Sequence, residues 1–263
     1  KSVVQHGYSP LCCCDGENED RRVAVPAWSG LTCARRDDCS PPGEHWMRAD
    51  ESEFEMFMRW HLYRRWKRDQ GRASMYDFRR YIRSAPPGAL ALDCGANVGN
   101  VTRVMADAGM RVIAFEPDRD SFGRLRARFG RPQRVTMVPK AVGATEGTGP
   151  FFHEMRHGAV YSEGSSIRQM GHHSPGSVYE VEVIDVVEYI RGLGEPIYLM
   201  KIDVEGAEAE VLEALLDADL LAGMGRVYAE LHEWLDKDLA ERLISLRRRI
   251  ADTGLRNIDL NWG

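Results

Sequence analysis

At 263 residues the chain can bury a full core, and its length fits one α/β domain with an appendage better than two complete domains. Apolar residues make up 43% and charged residues 29%, which excludes wholesale disorder and fibrous repeats, and the net charge of -5 argues against nucleic-acid binding through bulk electrostatics. No run of about 18 apolar residues occurs, so the sequence contains no helical membrane span.

Five of the six cysteines, Cys12, Cys13, Cys14, Cys33 and Cys39, crowd into residues 1–48, an irregular segment with no sustained apolar period that includes Ser40-Pro-Pro-Gly43. A disulfide-bearing segment in a secretory lumen or the Golgi accounts for this cluster, its odd number leaving one thiol free or intermolecular. Free thiols in a loose tail of a cytoplasmic enzyme are the alternative. Zinc fits less well, because three of the cysteines are adjacent and no paired C-x-x-C knuckles accompany the others. The chain opens at Lys1 rather than Met, as it would after removal of an upstream signal or anchor.

Residues 49–85 read as a helical extension or lid. Phe54, Phe57, Met58, Leu62 and Trp66 recur at helical spacing from Asp50 to Arg68, with Asp50 or Ser52 as cap. A second short helix is expected over Met75 to Arg83, stopped by Ala85-Pro-Pro-Gly88.

From residue 86 to 263, short apolar runs alternate with helical patterns. Strands are expected at 89–93, 111–116, 135–139, 197–203, 226–231 and 255–260, with helices at 100–108, 118–129, 206–216 and 236–251. This βαβ order implies a mostly parallel sheet with right-handed crossovers and helices on both faces. Phe151 to Glu180, with His153, His157, His172 and His173, shows no period and reads as a long loop or hairpin excursion bordering the acceptor.

The first strand delivers Asp93 to the carboxyl edge of the sheet, where ligands of open α/β sheets bind, and Gly95, Asn97 and Gly99 let the chain turn tightly into a helix. Glu116 ends the next strand, where a carboxylate can accept from two ribose hydroxyls, so the pair implies a nucleoside-bearing cofactor. Ala96 and Asn97 interrupt the G-x-G-x-x-G spacing that a pyrophosphate needs. A cofactor with a cationic end, S-adenosylmethionine, suits these carboxylates better. A further strand emits Asp203 and Glu205 at its end.

The motifs LDCGANVGNVT, FEPD, VPKAVG, KIDVEGAE and ELH, in this order across about residues 89–232, resemble the FkbM family of methyltransferases. The resemblance implies a Rossmann-like class I methyltransferase fold with a seven-stranded sheet, S-adenosylmethionine as cofactor, and methylation of a hydroxyl on a sugar, glycan or polyhydroxylated natural product. By position it implies that Asp93, Gly95, Asn97, Gly99, Glu116 and Pro117 hold the cofactor, with Lys140 and Ala141 near the adenine. It assigns no role to the N-terminal cysteines.

An alcohol acceptor needs a base. Asp203 ends its strand where methyl and acceptor should meet. Glu230 and His232, two apart on a strand end, share a face, so His232 is a candidate base with Glu230 orienting its ring. Alternatively Asp203, Glu230 and His232 form a two-carboxylate, one-histidine site for Mg²⁺ or Mn²⁺. The expected partner is a small-molecule or glycan acceptor, with no nucleic acid. Competing readings are an N-methyltransferase, for which no Asn/Asp-Pro-Pro-Tyr segment is present, a non-catalytic cofactor-binding module, and an NAD-dependent oxidoreductase.

Overall fold

The computed structural model describes residues 53–130, 134–153, 165–167, 178–232 and 237–262. In chain order its elements are α1 (Glu53–Arg83), β1 (Leu90–Cys94), α2 (Asn100–Asp107), β2 (Arg111–Phe115), α3 (Arg119–Phe129), β3 (Val135–Val138), β4 (Ala141–Gly143) and β5 (Gly147–Phe152). They continue with β6 (Val178–Asp185), α4 (Val186–Leu193), β7 (Ile197–Ile202), α5 (Glu208–Asp217), β8 (Arg226–Ala229), α6 (Lys237–Thr253) and β9 (Ile258–Asp259). The cysteine-rich segment 1–48, the cap candidates Asp50 and Ser52, and His157, His172 and His173 lie outside the described residues.

The main sheet runs β3-β2-β1-β7-β8-β9, every pair parallel. It holds six strands among the described residues, against the seven expected. The excursion after β3 builds a separate sheet in the order β4-β6-β5, its β5-β6 pair antiparallel. The sequence masks this second sheet, because Gly147-Thr-Gly-Pro150 breaks the alternation that identifies a strand.

Alternation along each main strand feeds two cores. Leu90, Leu92 and Cys94 of β1 join Met200 and Ile202 of β7 in the layer under α4, α5 and α6, while Ala91 and Leu199 face the layer with α1, α2 and α3. With both faces covered, the strands are apolar nearly throughout.

The extension is one helix of 31 residues, not two. Nothing between residues 68 and 75 stops it: Gly71 costs about 1 kcal/mol but breaks no hydrogen bond, and no proline intervenes. Gly71 and Ser74 are buried, small residues where the helix meets the domain. Further along, the Phe78 ring packs edge-on against Tyr228 at 5.4 Å and Trp262 at 4.8 Å. Asp77 then accepts hydrogen bonds from the Tyr228 hydroxyl (2.9 Å) and the Arg226 guanidinium (2.8 Å).

The strand order reverses between β1 and β7, since the chain builds outward to β3 on one side and to β9 on the other. A cleft opens outside the carboxyl ends at such a switch point. Because Phe78 is only 1% exposed, Phe78→Ala is expected to destabilise the domain by about 3–5 kcal/mol in denaturant unfolding. A change under about 1 kcal/mol would show that α1 is not part of the core.

Candidate active site

The loop after β1 is shaped by left-handed backbone at Gly95 (φ 81°), Asn97 (φ 50°) and Gly99 (φ 82°). A Cβ on Gly95 would lie 1.7 Å from the carbonyl oxygen of Asp203, so only glycine lets this loop pass the end of β7. Gly99 serves packing: a Cβ there would lie 2.6 Å from a Leu125 methyl and 2.7 Å from the Phe129 ring. It supports the loop against α3 and does not line the cleft.

Glu116 is 6% exposed, and its two oxygens accept the backbone N–H groups of Asn97 (2.6 Å) and Asp118 (2.7 Å). Burial pushes its carboxyl up to about 8 despite these donors. Gly95, Asn97, Glu116, Pro117, Lys140 and Ala141 all line one cleft, together with Asp203. The Lys140 ammonium pairs with Glu182.

Asp93 lies elsewhere. It is fully buried, accepts from the Thr102 hydroxyl at 2.6 Å, and faces the Lys201 ammonium at 3.5 Å. The expected direct cofactor contact is therefore corrected: burial removes Asp93 from the cleft and makes it a support beneath the loop. Lys201 is 3% exposed; it donates to the Gly95 carbonyl at 2.7 Å and pairs with Asp203 at 3.1 Å. Asp203 does not cap α5, whose cap position is Ala207.

Sequence reasoning missed several lining groups. Asp118 caps α3 by accepting from Asp120 and Ser121 N–H, and its other oxygen faces His153 Nδ1 and the Tyr179 hydroxyl. That contact ties the small sheet to the mouth of the cleft, so His153 sits at the Glu116 end. Phe151 and Ser166 also line the cleft, as does Glu205, which the sequence already placed with Asp203 at the end of its strand.

Beside Asp203 three further carboxylates surround one imidazole. His232 Nδ1 is 2.9 Å from Glu208 and Nε2 is 3.2 Å from Glu205, while Glu230 stands 4.0 Å away. Glu208 is fully buried and also accepts from the N–H groups of Val204 (3.1 Å) and Gly206 (2.9 Å). Glu208, not Glu230, therefore orients the ring. Burial alone would lower the His232 pKa; the hydrogen bond to Glu208 and the charges of Glu208, Glu205 and Asp203 outweigh it and raise it to about 9. A carboxylate on each ring nitrogen favours the protonated ring, and His232 is not among the residues that line the cleft, against the expectation of a base there. Burial raises Glu205 to about 8 and Glu230 to about 6, with His232 opposing both shifts.

The expected metal triple also changes. Among the described residues, Asp203, Glu208 and His232 bring ligand-type atoms within 4.8 Å of one another, with Glu230 outside the set. Within that set Glu208 also accepts the N–H groups of Val204 and Gly206.

A doubly wound sheet with a carboxylate-lined cleft at its switch point defines a Rossmann-like α/β protein. The family model described as the methyltransferase FkbM domain matches residues 93–249. The chain belongs to this family and is a methyltransferase. No curated protein matches it. Among solved structures it is similar to one named as an rRNA-methylase from Clostridium thermocellum, at 10% identity, covering 66% of this chain and 79% of that one with a TM-score of 0.37.

Glu116, Glu205, Glu230 and His232 all bind protons more tightly folded than unfolded. Their stabilisation is complete below the ordinary values of 4.5 for the carboxyls and 6.5 for histidine, and is lost as pH rises through the folded values. The Tm of the ligand-free protein should fall between about pH 6.5 and 9 by scanning calorimetry. A Tm that rises over that interval would contradict these assignments.

Proposed function

We propose that this chain transfers the methyl group of S-adenosylmethionine to a hydroxyl oxygen of a sugar, glycan or other polyhydroxylated small molecule. One observation carries the reading: Glu116 and Asp203 line a single cleft, one at the end of β2 and the other just after β7, with the Gly95 loop between them.

The donor set fits this cofactor. Glu116, Asp118, Asp203 and Glu205 line the cleft, and the lysine at its rim, Lys140, pairs with Glu182. A pyrophosphate brought among these groups raises their pKa values and is repelled; a cationic ligand lowers them and is held. This favours S-adenosylmethionine over NAD. Glu116 is positioned to accept from the ribose hydroxyls, and Pro117, Lys140 and Ala141 stand where the adenine would lie.

Bound S-adenosylmethionine supplies an already electrophilic methyl, so the protein's work is to place the acceptor oxygen in line and to remove its proton. Asp203, 25% exposed, holds the acceptor through a hydroxyl next to the one that reacts, with Lys201 fixing its rotamer. A polyol offers such adjacent hydroxyls, which favours this acceptor class.

Calorimetry should find binding of S-adenosylmethionine and S-adenosylhomocysteine, weakened about 10- to 100-fold by Glu116→Ala through loss of the hydrogen-bond acceptor for the ribose hydroxyls. Tight NAD binding without S-adenosylmethionine binding would overturn the reading. Asp203→Asn should lower transfer at saturating S-adenosylmethionine by about 100-fold through misplacement of the acceptor, beyond any loss of cofactor affinity; undiminished transfer would remove Asp203 from its role.

A further inference from the structure

We infer that Glu205 is the general base of the transfer, with the His232 imidazolium as its fixed counter-charge and Glu208 as the group that aims that ring. This rests on the methyl-transfer reading above and adds the destination of the acceptor's proton.

Three rivals are set aside on their placement. Asp203 keeps the acceptor-holding role given it above, with the Lys201 ammonium at 3.1 Å. His232 is 5% exposed with a carboxylate on each ring nitrogen. Glu230 is not among the residues lining the cleft. Glu205 lines the cleft, is 24% exposed, and has its Oε2 3.2 Å from His232 Nε2.

The chain holds Glu205 in a conformation it would not adopt unaided. Its φ is +52°, a left-handed value costing a non-glycine residue on the order of 1 kcal/mol or more. Two clamps hold it there. The flanking N–H groups of Val204 and Gly206 both donate to Glu208, and the Ser166 hydroxyl donates to the Glu205 carbonyl. Through Ser166, which bridges to Phe152 of β5, the excursion is tied to the residue proposed as base. Strain concentrated at one cleft-facing carboxylate is expected where side-chain placement matters to chemistry.

The order Glu205, His232, Glu208 uses the logic of a base oriented by a second group that is itself held by a third. In the step, the acceptor O–H bond breaks and its proton passes to a Glu205 carboxylate oxygen. The oxygen bonds the methyl carbon while the S–CH₃ bond breaks, its electron pair staying on sulfur as a neutral thioether. The groups that set Glu205's basicity are Asp203 and Lys201 at the end of β7, Glu208 of α5, and Glu230 and His232 after β8. Lys67 of α1 acts through Glu230. Burial and the carboxylates raise the Glu205 pKa and the imidazolium lowers it, leaving it at about 8.

The test uses the full chain, radiolabelled S-adenosylmethionine, and a mixture of methyl glycosides and free polyols as acceptor probe. Transfer by the native protein should rise with pH to a plateau, with its midpoint below the ligand-free value of about 8 because the bound cation lowers the Glu205 carboxyl. At saturating S-adenosylmethionine, Glu205→Gln should lose about 10²- to 10⁴-fold in transfer, Glu205→Asp less. His232→Gln should keep a pH-dependent rate whose midpoint moves alkaline, because the charge that eases Glu205's ionisation is gone. Glu205→Gln within threefold of native, or His232→Gln equally inactive at every pH, would overturn the inference. If the native protein labels nothing in the mixture, the polyol reading fails by itself. The pair is then tested by the NMR titration of His232, whose midpoint near 9 must fall in Glu205→Gln; an unmoved midpoint overturns it.

Discussion

The ammonium of Lys201 is the constraint on which the site depends. It is buried in the sheet, where an unpaired charge would cost several kcal/mol, so its partners are obligatory. Those partners are Asp93 of β1, the Gly95 carbonyl of the glycine loop and Asp203 beyond β7. One side chain thus fastens the glycine loop after β1 to the end of β7. Burial disfavours its charge, but the two aspartates outweigh burial and keep it protonated. The close pass of the Gly95 backbone over the Asp203 carbonyl completes the joint without side-chain bulk.

Around that joint the two ends of the cleft have different chemistry. At the Glu116 end, backbone N–H groups hold a carboxylate ready for neutral hydroxyl donors. At the Glu205 end, crowded carboxylates share a single imidazolium, and their stability as a group is proton-linked. The Glu208 carboxylate, accepting backbone N–H groups and facing the ring at once, turns the β7–α5 turn and the end of β8 into one rigid unit.

Much of this was legible in the sequence because its signals are local. Asp93, Gly95 and Glu116 sit at strand ends marked by apolar runs and glycine, and Asp203 follows the same pattern, so the switch point and its edge residues could be placed. What was hidden is non-local. Lys201 reads as an interruption in an apolar strand, and two of its three partners, Asp93 and the Gly95 carbonyl, come from β1 and the loop after it, the latter 106 residues away. Glu208 reads as a solvated first-turn carboxylate, yet it is fully buried because His232, 24 residues later, meets it across two elements. Glu230 was favoured as the orienting group by its two-residue spacing from His232, but sharing a face of a strand end does not bring two side chains into contact. The second sheet and α4 were missed because Gly147 to Pro150 carries no period and Val186 to Leu193 is short enough to pass as an apolar run.

The central claim is that one cleft holds an adenosyl group against Glu116 and presents its sulfur to the Asp203 and Glu205 end. A cocrystal with S-adenosylhomocysteine tests it most directly. The account predicts both ribose hydroxyls on the Glu116 carboxylate, the adenine beside Lys140 and Ala141, and the thioether facing Asp203 and Glu205. A ribose bound away from Glu116, or a sulfur directed away from those two carboxylates, would contradict it.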